Sequence, residues 1–349
     1  MKINKKFCIV TSFYNQEHRI IRSIEHSLAQ KFESLGLILY SDGSTDTSHT
    51  KILSYFPSLE LVEGYTDLWH TESNGVEVLY KKSAVRNTSA SYNIQQMVKH
   101  HIENDDCVIG IVDGDDYLEK TDACETHWNA YKIFPIAPVI VSSLACETEI
   151  QGVKRRLLNA HSGKLPDTDE FQAFGYKRRM GCVCFQTHFK TFMKRVSDLV
   201  PREYFEDDEG NLMGPAADVA YFNTMMEIVD DMNRFVEVGP TGYVYTSECW
   251  RRDCFKTEER LKNGACIKAK PIHPYIYVPK ADWQQGTCED VEKSVLKAQF
   301  EEEKQRALIE FDPLGTGPTG NADDLYDENT PNGPKRDKQW LKDELGIED

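Results

Sequence analysis

Three features are missing from this 349-residue sequence. It has no long basic cluster: with 57 Asp and Glu against 41 Lys and Arg, a formal net charge of -16 repels nucleic-acid phosphates and anionic membranes. It has no apolar run long enough to cross a bilayer. The opening "MKINKKFCIVTSFYNQ" carries too short an apolar stretch for a signal peptide, and "FPIAPVIVSSLAC" is too short to span. It also has no compact cysteine framework. Ten cysteines scattered along the chain read as reduced thiols in core positions. Cys182 and Cys184 fall on opposite faces if their segment is a strand, and Cys249 and Cys254 lack the paired short spacing of a zinc knuckle. A soluble, cytoplasmic protein with no transmembrane segment and no nucleic-acid partner is the expectation. No internal repeat is visible.

What is present is a large supply of core residues, 40% hydrophobic and 11% aromatic. Short apolar runs alternate with helical stripes over the first third. "FCIV" (Phe7 to Val10) reads as a strand, followed by a helix capped by Asn15 with Ile20, Ile21, Ile24 and Leu28 on one face. "LGLILY" (Leu35 to Tyr40) is a second strand, the "DGSTD" turn opens a second helix through Ile52 and Leu53, and "LELV" (Leu59 to Val62) is a third strand. Ile94, Met97, Val98 and Ile102 stripe another helix before "CVIGIV" (Cys107 to Val112). Such alternation predicts an α/β protein with a Rossmann-like, mostly parallel sheet flanked by helices. Further on, "PVIVSSL" reads as a strand and "ADVAYFNTMMEIV" as a helix with Val219, Phe222, Met226 and Val229 inward.

Ligands in such sheets sit beyond the carboxyl ends of the strands, where "TSFYN", "SDGSTD" and "DGDD" all fall. Clustered aspartates at a strand end repel one another unless a cation or a buried proton compensates, and oxygen-only ligands favour magnesium or manganese over zinc. The competing interpretation is a solvated turn, because Asp and Gly are common turn residues. A helix-loop-helix calcium site does not fit: counting from Asp42, the sixth and twelfth positions are Thr47 and Leu53, where glycine and glutamate are needed.

Taken in order, "CIVTSFYNQEHRIIRSIEHSLAQ", "LILYSDGSTDTS", "AVRNTSAS" and "VIGIVDGDDYL" resemble the donor half of family 2 glycosyltransferases of the GT-A fold. "THFKTFMKRV", "YFEDDEGNLMGPAADVAYFNTMMEI" and "YVYTSE" resemble the acceptor half of bacterial and phage members, so the likeness runs over roughly residues 6 to 250. The resemblance implies that Asp42 accepts a hydrogen bond from a uracil ring, with Ser12 and Tyr14 beside the base and Thr11 competing with Ser12 for that place. It implies that Arg86 lies near the donor phosphates, a task that suits a guanidinium fork. By the same likeness Asp115 binds the metal, Asp113 the ribose or the metal, and Asp218 takes the acceptor's proton. Asp116 receives no settled role. A helix start at Asp218 would favour the ionised carboxylate.

The combined reading is a metal-dependent, inverting glycosyltransferase using Mn2+ or Mg2+, a nucleotide-sugar donor, UDP-sugar foremost, and a glycan or glycoconjugate acceptor. Residues 1–250 form the GT-A domain (1–118 donor half, 119–250 acceptor half), 251–311 a mostly helical extension and 312–349 a flexible polar tail rich in Gly, Pro, Asn and Asp. One rival is a nucleotidyltransferase making sugar nucleotides, which calls for a glycine-rich basic loop after the first strand that "TSFYNQE" lacks. The other is a non-catalytic sugar-binding or scaffold protein. The acidic "FEDDEGN" (Phe205 to Asn211) reads as an exposed loop, His188 as a lone histidine on the acceptor side, and Trp69, Trp128 and Trp250 as core aromatics or sugar platforms.

Overall fold

The computed structural model describes residues 1–87, 89–133, 139–150, 153–160, 189–229, 235–247 and 257–271, with residues 273, 276, 278, 281 and 283 beyond. His188, Trp250, Cys182, Cys184, Cys249, Cys254 and the expected tail at 312–349 lie outside the described residues.

Strand β1 (Phe7–Phe13) and strand β2 (Leu35–Ser41) are buried at all seven positions each, so both faces of the sheet are covered. Continuous apolar runs, without polar alternation, are the sequence form of such strands. Helix α1 (Ile20–Leu28) follows β1 and buries Ile20, Ile24 and Leu28. Helix α2 (Ser48–Tyr55) follows β2 and buries Ile52. Next come β3 (Glu60–Leu61), β4 (Leu68–Ser73), β5 (Val76–Lys82), α3 (Ala90–His101), β6 (Val108–Ile111), β7 (Tyr117–Leu118) and α4 (Ala123–Ile133). The rest comprises β8 (Val139–Ile150), β9 (Val153–Ala160), β10 (Lys190–Met193), the short α5 (Lys194–Ser197), α6 (Ala217–Val229), β11 (Phe235–Ser247) and α7 (Thr257–Ala269).

All of these strands join one sheet in the order β3-β4-β5-β2-β1-β6-β10-β8-β11-β7, with β9 paired to β8. The sheet is mixed, whereas the sequence pattern suggested a mostly parallel one. β5, β2, β1 and β6 run parallel, as do β8 and β11, but β10 is inserted antiparallel between β6 and β8. The expected third strand is present but short. Glu60–Leu61 is an exposed edge piece antiparallel to β4, and the place beside β2 belongs to β5. A β4–β5 hairpin turning at Asn74 and Gly75, both with positive φ, makes that arrangement possible.

Helix α6 matches the expected 217–229 helix, and Val219, Phe222, Met226 and Val229 are buried as read. It is buried on nearly every side, because α3, α5, α7 and the turn Arg202–Phe205 all pack around it. Each large apolar side chain sealed there, such as Tyr221 or Phe222, stabilises the fold by about 1.5–3 kcal/mol relative to exposure. Among the described residues no helix is long and apolar enough to cross a membrane.

Candidate active site

The carboxyl ends of β2, β1 and β6 lie side by side, and Phe13 at the end of β1 contacts the loops that leave both neighbours. Its carbonyl accepts the Asp42 amide at 2.8 Å. On the other side Gly114 is so close that a Cβ there would stand 2.4 Å from the Phe13 Cβ. Any side chain at position 114 would push the 113–116 loop off the strand end. The loops after β2 and β6 are thus seated on one residue, which brings Asp42 and the aspartate loop to the same edge.

Two hydrogen-bonded loops hold the first part of this edge. Asn15, at φ +51, accepts the amides of Thr45 (2.8 Å) and Asp46 (3.3 Å), and Ser44 Oγ accepts the Asn15 amide at 3.1 Å. Asn15 therefore does not cap α1, whose N-cap position is Arg19, as its pattern had suggested. It braces the β1 loop against the turn leading into α2. Asp46 accepts the amides of Glu17 and Ser48 at 2.9 and 3.0 Å. Its carboxyl sits below the usual carboxylate range because hydrogen bonds, led by Ser48, outweigh a burial contribution in the other direction.

Asp42 is 5% exposed, and its Oδ1 accepts the Asn87 amide at 3.0 Å. Gly43, at φ +67, lies under the 85–86 backbone: an added Cβ would come within 2.5 Å of the Arg86 nitrogen. This close approach places the exposed Arg86 at the edge, where its guanidinium lies 3.7 Å from the centre of the Tyr14 ring. Asp42, Tyr14 and Arg86 are therefore assembled together, with Asn87 as an addition that sequence reading missed. Thr11 and Ser12 are both buried, and successive strand residues point to opposite faces. The Thr11 hydroxyl has no hydrogen-bond partner among the described residues.

The second cluster follows β6. Asp113 is half-buried, and its carboxyl is pushed up to about 7, first by burial, then by the charge of Asp115; Lys190 opposes the shift and Asp218 adds to it. Charges from its own loop, from β10 and from α6 thus act on Asp113. Asp115 reaches Arg19, at the start of α1, at 3.8 Å. Asp116 faces the other way: it is 1% exposed, with Tyr243 Oη donating to Oδ2 and the Thr246 amide to Oδ1, both at 2.7 Å. Burial, then Asp115 and Asp113, drive its carboxyl well above the usual range.

Asp218 sits in the first turn of α6 and is the one residue of that thirteen-residue helix that is not buried. Lys190 Nζ donates to its Oδ2 at 3.3 Å. Lys190 opens β10 opposite Ile111, the last residue of β6, and only 4% of its side chain is exposed, against 47% for Asp218. Its ammonium also lies 4.9 Å from the centre of the Phe222 ring. Sequence reading missed this lysine; the signal was a cation inside the otherwise apolar "FKTFM" run.

Two of the three aromatic candidates pack on other rings. Trp69 stacks on Tyr80 with centroids 5.3 Å apart, and Trp128 on Trp283 at 4.0 Å. The 205–211 segment is an exposed turn as expected, in which Asp207 accepts the Glu209 and Asn211 amides, although its first residue, Phe205, is buried.

Among the described residues no three His, Cys, Asp or Glu side chains converge closely enough to hold a metal ion by themselves. Asp113 and Asp115 nevertheless fit a magnesium or manganese site of the kind completed by substrate. Such ions take one or two carboxylates plus phosphate oxygens, and the crowding of Asp113 by Asp115 and Asp218 is a deficit of positive charge.

No protein-family model matches the chain, and no curated protein does. Solved structures with similar architecture include S. aureus TarS 1-349, at 15% identity and a TM-score of 0.45 over 92% of this chain and 77% of that one. The same protein in complex with UDP-GlcNAc gives 14% and 0.42 over the same shares. Mannosyltransferase PcManGT from Pyrobaculum calidifontis, in complex with GDP-Man and Mn2+, gives 12% and 0.45 over 93% of this chain and 82% of that one. Similarity at this level leaves the chemistry to be read from this chain's own residues.

Proposed function

We propose that this chain is a divalent-cation-dependent, inverting glycosyltransferase that moves a sugar from a nucleotide sugar, foremost a UDP-sugar, to a hydroxyl of a glycan or glycoconjugate. The observation that carries the reading is Asp218. A helix buried at every other position presents one carboxylate, and that carboxylate shares the field of Asp113. A base, a cation-binding pair and a nucleotide-facing aspartate then occupy one sheet edge.

In this reading Asp42, held by the Asn87 amide, accepts an N–H of the base, with Tyr14 and Arg86 beside it. Asp113 and Asp115 hold Mn2+ or Mg2+. A divalent ion bound there offsets the charge that appears on the departing nucleoside diphosphate. Arg86 offers its guanidinium fork to the same phosphates. Asp218 receives the proton of the attacking hydroxyl as the new C–O bond forms on the sugar face opposite the leaving group. Lys190, whose own side chain is buried, donates to that carboxylate at 3.3 Å and keeps it aimed.

The deciding experiment is transfer from UDP-sugars in the presence of Mn2+, comparing the wild type with Asp218→Asn. The variant is expected to bind donor within about twofold of wild type and to lose turnover by roughly 10²–10⁴-fold, the usual contribution of a positioned base. Full turnover by Asp218→Asn removes that residue from the role.

A further inference from the structure

Asp116 belongs to the same loop as the two aspartates assigned to the cation, yet both of its oxygens are bound by β11. The Tyr243 hydroxyl does two things there. It donates to Asp116 Oδ2 at 2.7 Å, and it accepts the backbone amide of Asp113 at 3.2 Å. Tyr243 is fully buried, with its ring roughly parallel to Phe189 at a centroid distance of 6.5 Å. Its height along the strand is fixed by a local irregularity. The β8–β11 register breaks between Val238 and Tyr243, and Gly242 has φ +72. The Glu119 amide donates to the Gly242 carbonyl at 2.7 Å, and a Cβ on Gly242 would lie 2.8 Å from the Lys120 nitrogen. A second tie reinforces the first: Arg22 donates to Thr246 Oγ1 at 2.9 Å while lying over the Tyr117 ring.

We propose that Tyr243 is a positioning residue whose hydroxyl, fastened to Asp116 and to the Asp113 amide, sets where Asp113 and Asp115 meet a divalent cation and its pyrophosphate. This rests on the proposed function above. A phenol in this place makes the aspartate loop answer to β11, a strand from the far side of the sheet, and not to β6 alone. Removing one oxygen leaves the ring packing on Phe189 intact while releasing the Asp113 amide and one oxygen of Asp116.

The test uses the full chain and two readouts. Electron paramagnetic resonance titration with Mn2+ in the presence of UDP measures cation binding, and amide hydrogen exchange over residues 112–118 of the metal-free protein measures how firmly the loop is held. Tyr243→Phe is expected to weaken Mn2+ binding about tenfold and to speed Asp113 exchange about tenfold, the effect of losing two buried hydrogen bonds. Wild-type values for Tyr243→Phe in both readouts overturn the inference and leave the functional reading standing. A wild-type chain that binds neither Mn2+ nor UDP overturns the functional reading, and the exchange rates then decide separately whether Tyr243 holds the loop.

Discussion

At the scale of single residues, the least expected feature is a lysine. Lys190 places an almost fully buried ammonium against a half-exposed carboxylate, and the same charge draws down the Asp113 carboxyl that Asp115 and Asp218 push up. Lys190→Met keeps the stem and deletes the charge. Steady-state kinetics on that variant should show kcat reduced about tenfold or more, with the donor KM changed far less, because the charge supports the base and not the nucleotide. Equal changes in both parameters would point to general misfolding of the edge. The aspartates that sequence reading singled out share a simple property. Asp113 follows an apolar run directly, Asp42 comes one residue after such a run and Asp115 two residues after Asp113, and Asp218 opens a helical stripe, so local pattern alone places them at element ends. Lys190, the first residue of β10, and Tyr243, late in β11, have partners 28 and 127–130 positions away, so what they touch is fixed by tertiary pairing and not by neighbouring sequence.

At the scale of elements, buried polar joints fix how helices sit on the sheet. His127 in α4 is fully buried, with Nδ1 2.8 Å from Thr191 Oγ1 in β10, and burial holds its pKa down to about 3. The folded protein keeps this ring neutral while the unfolded chain takes up a proton near pH 6.5. Stability from His127 is therefore fully present above about pH 6.5 and is lost as the pH falls from there towards 3. Urea melts at several pH values should show a shallower acid slope for His127→Gln than for wild type; identical slopes would mean the ring is protonated in the fold. The shortness of β3 and the antiparallel place of β10 have a physical cause at this same scale. "LELV" is as apolar as a core strand, but tertiary pairing decides its place, and the half-polar "VEVLYKK" of β5 takes the inner position because its hairpin with β4 holds it beside β2. Antiparallel insertion of β10 was equally invisible, since four residues of strand carry no mark of direction.

At the scale of the whole molecule, an excess of acid runs through the chain, with a formal net charge of -16, and the proposed donor is itself an anion. Cation and nucleotide should consequently bind as partners. Thermal-shift measurements should give a rise of about 5 °C for Mn2+ and UDP together at concentrations well above their dissociation constants, and a smaller total when the shifts from each added alone are summed. Purely additive shifts would separate the cation from the nucleotide and count against a shared site.

The insertion of β10 beside β6 also bears on how the protein is made. When the ribosome has delivered residues 108–111, one side of that strand has β1 to pair with, but its other neighbour, residues 190–193, has not yet been synthesised. The nascent chain must carry an open strand edge through all the intervening synthesis, which makes that interval the stage at which a chaperone, or a slowdown in translation, has most to protect.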